Sequence, residues 1–197
     1  MALETVCLEH IPSTHSVQVA FFRNVSNPDF LQSQLVARNP DFEYAFIDAS
    51  SVVSRVQVLA ATFKALTLLL SGSLRTPNVH SEIVCSLSPT NNIAEAYRRY
   101  GVTPQTKDVI IVKVLFPTEA NPQPPSPESI WAHLQEHVKG SPVPLVDENI
   151  AAATDLAKVR KYYKLNGAPA LNDAKDDLSR KTETEALVLA SMALRGV

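Results

Sequence analysis

Hydrophobic and polar positions repeat with two different spacings along this chain, and each change of spacing marks an element. Residues Glu4 to Glu9 and Ser16 to Val25 read as strands, the second rich in β-branched and aromatic residues. Asn27-Pro28 opens a short helix near Asp29 to Ala37, and Glu43 to Asp48 alternates as a strand around Tyr44 and Phe46. A long helix follows from about Val52 to Ser71, with a stripe of Val52, Val56, Leu59, Phe63, Leu66 and Leu70 and further apolar residues on its other faces. Val79 to Leu87 reads as a strand, Ile93 to Tyr100 as a helix, and Asp108 to Leu115 as a strand buried on both faces. Three helices remain: Pro127 to Lys139, about Asp155 to Leu165, and Thr182 to Arg195. Strands alternating with helices and then helices alone predict an α/β (α+β) architecture, with a mixed, mainly antiparallel sheet packed with helices. A single layered domain over residues 1–197 is expected.

Punctuation sharpens these boundaries. Gly72, Gly101, Gly140, Gly167 and Gly196 each follow a stretch with helical spacing, where a C-terminal cap asks for positive φ. They lie too far apart for a phosphate-cradling loop, which excludes a Walker A motif, a dinucleotide fingerprint and a kinase glycine loop. Seven of the fourteen prolines fall between Pro117 and Pro144, and Pro122-Gln-Pro-Pro-Ser-Pro127 reads as a stiff surface connector. Asn92 with Glu95, and Thr182 with Glu185, have the spacing of capping boxes.

Composition narrows the function classes. With 45% hydrophobic and 19% charged residues the chain buries a sizeable core, and 18 basic against 20 acidic residues leave a net charge of -2. Any nucleic-acid contact is therefore a local patch. Cys7 and Cys85 lack metal-ligand spacing and are too few for a disulfide framework, so a reducing compartment is expected. The first ten residues carry no basic segment before a long apolar run, and no signal peptide is expected. Arg55, Gln57 and Lys64 interrupt the apolar stretch Val52 to Leu70, which makes it a core helix and not a membrane span.

Three segments carry candidate chemistry. His133-Leu-Gln-Glu-His137 matches a zinc-hydrolase motif, with two imidazoles one turn apart and Glu136 to handle water, but no third ligand is evident. The alternative is that Ile130, Trp131, Leu134 and Val138 point inward and the histidines sit on a solvated face. Lys158, Arg160, Lys161 and Lys164 surround Tyr162 and Tyr163, a composition that neutralises phosphates and stacks bases; Leu156, Val159 and Tyr163 also have the spacing of a core stripe. Arg98 and Arg99 form a smaller basic pair. The last helix, Ala186 to Leu194, has Ser191 as its only polar residue, so one face can pack on the domain and another on a partner.

The order Ser88-Pro-Thr-Asn-Asn-Ile93, Ala96, Tyr100-Gly-Val-Thr-Pro104, Thr106 and Val109-Ile-Ile-Val112 resembles the small CGI/TPRKB (PRPK-binding protein) subunit family of the EKC/KEOPS complex, in a fungal-like form. Asp48-Ala49 before a helix with Ala60, Ala61 and Ala65, then Arg75-Thr76, Glu82-Ile83 and the closing Leu-rich helix, extend the likeness over most of the chain. Two polar inserts, Thr118 to Ser126 and Asn166 to Lys181, depart from the compact family pattern. The resemblance implies a non-enzymatic subunit without cofactor or metal that binds the small protein kinase/ATPase subunit and, through it, the threonylcarbamoyl-transferase subunit. It implies an allosteric effector that helps recruit tRNA, including its 3′ CCA end, for threonylcarbamoyladenosine formation beside the anticodon. Nuclear and cytoplasmic location, telomere and transcription roles in fungi, and no membrane partner belong to the same expectation. On this reading Leu187, Leu189, Ala190, Met192, Ala193 and Leu194 are the candidate docking residues. Lys158, Arg160, Lys161 and Lys164, with Arg75, Arg98 and Arg99, are the candidate tRNA contacts. The competing readings are an autonomous RNA-binding domain and a zinc hydrolase using His133, Glu136 and His137.

Overall fold

Two strands with nearly unbroken apolar runs, β2 (Ser16–Arg23) and β4 (Val109–Leu115), pair antiparallel from Ser16 opposite Leu115 to Phe22 opposite Val109. They form the middle of the sheet in a computed structural model that describes residues 3–119 and 122–195. β3 (Ala45–Asp48) pairs with β4 on its other side, while β1 (Leu3–Val6) and the short β5 (Ser141–Val143) lie end to end along the free edge of β2. Every one of these pairings is antiparallel.

Both sheet faces are covered, which is why the central strands show little polar alternation. Val17, Val19, Phe21, Ile47, Ile110, Val112 and Val114 point to one face. There they meet α2 (Arg55–Leu70), α3 (Val79–Ser86), α6 (Asp147–Ala151), α7 (Leu156–Tyr162), α8 (Pro169–Asn172) and α9 (Asp177–Ala193), with Tyr100 from α4 (Ile93–Tyr100). Ala20, Phe22, Phe46, Val109 and Ile111 point to the other face, against Leu31 of α1 (Pro28–Val36) and Ile130 and Leu134 of α5 (Pro127–His137). The result is a three-layer α/β domain. Among the described residues no helix is long and apolar enough to cross a membrane.

Several sequence expectations are corrected. The segment Val79 to Leu87 is not a strand but helix α3, opened by Asn78, whose side chain accepts from Ser81 N–H at 2.8 Å. Wedged between α2, α4 and the sheet, α3 is buried on nearly all sides and shows no polar face, so its alternation imitates a strand. The inward face of α2 keeps only part of the expected stripe: Leu66 is buried, as is Val52 just before the helix, and Leu59 is half-buried. The rest of that face is Gln57, Val58, Ala61, Thr62 and Ala65, where the small Ala61 and Ala65 let the helix approach α3 closely, while Val56, Phe63 and Leu70 face outward.

The final helix does not begin at Thr182. It starts one and a half turns earlier, where Asp176 accepts from Ser179 N–H at 2.7 Å, and Thr182 lies inside it with its hydroxyl donating to Leu178 O. Of the glycines expected in left-handed caps, Gly72 closes α2 with φ 66. α7 is closed instead by Lys164 at φ 57, with Leu165 N–H donating to Arg160 O at 2.8 Å. Gly101 ends α4 in extended backbone, at φ -77, and is needed for space: a Cβ there would lie 2.7 Å from Tyr97 O. Gly140 has no positive φ, Gly167 has the expected positive φ, 87, but lies beyond the α7 cap, and Gly196 falls outside the described residues. The capping box at Asn92 forms on its Asn92 side, which accepts from Glu95 N–H at 3.0 Å.

Candidate functional site

The last helix is seated by one stripe and anchored at its end. Thr184, Val188 and Met192 are buried, and Leu187 packs against the same core. At its C-terminus Lys64 Nζ donates to Met192 O at 3.0 Å, placing a cation where the helix dipole is negative. Arg195 then crosses to α3, donating Nη1–H to Cys85 O and Nε–H to Asn91 Oδ1 at 3.2 Å. Burial lowers the pKa values of Lys64 and Arg195, and mutual repulsion with Arg75 adds to the effect. The expected docking residues therefore divide: Met192 is core, Leu187 and Leu189 are half-buried, and Ala190, Ala193 and Leu194 are exposed.

A second apolar surface adjoins this one, formed by residues that the sequence stripe assigns to the core. On α2, which α9 packs against, Val56 is 51% exposed, Phe63 39% and Leu70 46%; Leu194 on α9 is 66% exposed. Large apolar side chains turned to solvent on two neighbouring helices have the character of a docking surface.

The cationic candidates separate in the same way. Lys158 is engaged, with its Nζ 2.7 Å from Asp48 Oδ2 and 2.6 Å from Ser50 Oγ. Arg99 is engaged too, 2.6 Å from Glu95 Oε1 and 5.0 Å from the centre of the Tyr162 ring, which joins α4 to α7. Arg98, Lys161 and Lys164 are exposed, and Arg98 reaches Glu95 only at 3.9 Å. Arg75 is also exposed but lies by the start of α4, donating to Asn91 Oδ1 at 2.7 Å. Arg160 is half-buried, with its Nε–H inside the protein and without a hydrogen-bond partner. Of the aromatic pair, Tyr163 belongs to the core: its hydroxyl donates to Leu87 O and accepts from Gln57 Nε2–H at 2.8 Å.

The His133 and His137 rings lie 4.6 Å apart, as one turn of helix dictates, but they pack in an aromatic nest. Phe42 meets both rings edge-on at 4.9 and 5.1 Å, and Tyr44 Oη lies 3.0 Å from His133 Nδ1. Burial, followed by the His137 charge, lowers the pKa of His133. Glu136 is exposed, and among the described residues no group of three His, Cys, Asp or Glu could hold a metal. Ile130, Leu134 and Val138 point inward as expected, and Trp131 stacks on Phe22 at 5.8 Å. Cys7 and Cys85 are free, and burial pushes the Cys85 thiol up to about 11, which leaves it unreactive.

A groove of about 690 Å³ runs along the outer side of β3, between α1 and α3, with Phe42, Tyr44 and Tyr97 in its wall and Arg38 and Arg98 on its lining. His80 lies on the same lining and accepts Val114 N–H at Nε2, 3.0 Å away, completing the edge of β4 beyond the end of β3.

Known proteins give these surfaces a context. A family described as "Kinase binding protein CGI-121" matches residues 22–196. The EKC/KEOPS complex subunit CGI121 of Gibberella zeae is 58% identical over 197 residues, covering the whole of both chains. Its counterpart from Neurospora crassa is 55% identical over 207 aligned positions, again covering both chains fully. That of Aspergillus fumigatus is 43% identical over 196, spanning this whole chain and 98% of the relative. Matching end to end in this way, and within the family pattern from the middle strand to the last helix, the chain belongs to the CGI-121 family.

Proposed function

We propose that this protein is a non-catalytic subunit of an EKC/KEOPS complex that docks the small kinase/ATPase subunit through the outer faces of α9 and α2. The observation that carries this reading is the pair of exposed apolar faces on those helices, Val56, Phe63 and Leu70 beside Ala190, Ala193 and Leu194. Membership of a family described as kinase-binding supports it, as do the names of its relatives. Through the kinase subunit the protein reaches the threonylcarbamoyl-transferase subunit, on which it acts as an allosteric effector. It works in the nucleus and cytoplasm, with telomere and transcription roles following from the same complex. Size-exclusion chromatography of the full chain with the kinase subunit, both at micromolar concentration, tests the docking. A one-to-one peak is expected; separate peaks at that concentration contradict it.

The same subunit helps recruit tRNA, including its 3′ CCA end, and the exposed cations that suit this are Lys161, Lys164, Arg98 and Arg75. Lys158 and Arg99 are held in ion pairs, so reversing either disturbs the fold before it disturbs RNA binding. Replacing Lys161 and Lys164 together by Glu is expected to weaken tRNA binding. The slope of log affinity against log salt should fall by about 0.7 to 0.9 for each phosphate that is no longer neutralised. An unchanged affinity and slope would place the RNA elsewhere.

A further inference from the structure

We propose that the pocket between α7 and the Asn166–Arg180 stretch is a binding site for a phosphate group. It has a volume of about 370 Å³, with Arg160 from α7, Arg180 from α9 and the amides of Asn166 and Asn172 on its lining, beside the apolar Leu165 and Leu171. Among the described residues no carboxylate lines it. The Nε–H of Arg160 is buried and has no hydrogen-bond partner, an unmet donor that ordinarily costs free energy unless an acceptor reaches it. Arg180 is only loosely engaged: its Nη1 lies 3.0 Å from Asp177 Oδ1, a fully exposed carboxylate screened by water, and its Nη2 is 3.5 Å from Ala174 O.

Guanidinium groups only donate hydrogen bonds, and each Asn side chain adds two donors beside one carbonyl oxygen, so among the lining side chains donors outnumber acceptors. An oxyanion supplies the missing lone pairs. Two guanidinium groups carried by different helices, with amides beside them, suit a tetrahedral phosphate with oxygens in several directions better than a planar carboxylate. Lys161 and Lys164, exposed on and just beyond α7, extend the positive potential outside the pocket. Most of the pocket's lining comes from the polar stretch Asn166 to Lys181, and the proposal goes beyond the docking reading.

The phosphate can come from a free phosphate or phosphate ester, or from an RNA backbone, and one experiment separates the two. The Nε–H resonance of Arg160 in the isotopically labelled full chain is followed while inorganic phosphate is added, with chloride at equal ionic strength as the reference. A saturable shift with phosphate alone is expected, weakened about tenfold in Arg180→Gln, a substitution at a partly exposed side chain that leaves the core untouched. No phosphate-specific shift, or a shift indifferent to Arg180→Gln, overturns the proposal. A tRNA transcript is then titrated in the same way. If RNA is the source, it displaces phosphate and Arg180→Gln lowers its salt slope by the amount expected for about one phosphate. If the source is a free phosphate, tRNA leaves the bound phosphate in place.

Discussion

Glu82 has no exposed surface, and its Oε2 accepts three hydrogen bonds, from Arg75 N–H and Thr76 N–H at 3.0 Å each and from the Thr76 hydroxyl at 2.8 Å. One carboxylate thus fixes the turn that carries the chain from α2 to α3. Removing it leaves three donors facing a low-dielectric interior, so Glu82→Ala is expected to cost at least about 2 kcal/mol, read as a fall of several degrees in thermal midpoint. A midpoint within one degree of the parent would show that water replaces the carboxylate. His80 makes the other prediction at this scale. Burial, then the nearby Lys113 charge, holds its pKa well below the ordinary histidine range, and burial lowers His133 as well. Each ring takes up its proton at lower pH in the fold than in the unfolded chain, where the usual value is about 6.5. The unfolded state therefore binds more protons, and stability falls as pH drops below about 6.5. Urea denaturation between pH 7 and 5 should show this loss, and His80→Gln, which keeps an acceptor for Val114 N–H, should reduce it. An equal loss in both proteins would assign the pH dependence to other groups.

At the scale of elements, what can be read from sequence depends on how each segment is buried. β2, β4 and α4 are legible because their patterns match their surroundings: the strands are covered on both faces, and α4 has one apolar stripe, an Asn92 cap and Gly101. α3 is not legible, because a helix enclosed on all sides has no polar face to set the 3.6-residue period, and only Asn78 signals its start. Asn78→Ala is accordingly expected to cost about 1 kcal/mol in chemical denaturation, and no loss would deny that cap its role. α9 is located by its pattern but starts earlier than the pattern indicates, since Thr182-Glu-Thr-Glu185 has capping spacing without capping geometry. Asp176→Ala should lower the helix's hydrogen-exchange protection, whereas Thr182→Ala should leave it nearly unchanged. The reverse order would restore the later start. α6, α8 and β5 escape a sequence reading because helices of five residues or fewer and a three-residue strand are too short to show a period.

Over the whole molecule, sequence indicates the layered class but not which large apolar side chains of α2 the fold leaves exposed. Packing against α3 and the sheet selects the small residues Ala61 and Ala65 for the inside of α2, leaving the bulkier Val56, Phe63 and Leu70 outside, opposite to what hydrophobicity alone would assign. The basic candidates are visible in sequence as residues but not as a surface, because only the fold shows Lys158 and Arg99 consumed by Asp48 and Glu95. The roles of Lys64 and Arg195 are hidden for the same reason: their partners, Met192 O and Cys85 O, lie far away in sequence. The central claim is that the outer faces of α2 and α9 bind the kinase subunit. It is tested most directly by titration calorimetry of that subunit with the full chain, the Phe63→Asp variant and the Leu194→Asp variant. Because both side chains face outward, thermal midpoints should stay close to the parent, while each Kd should rise at least about tenfold, as for residues near the centre of an interface. Two well-folded variants that bind within about twofold of the parent would contradict the account and move the interface off these helices.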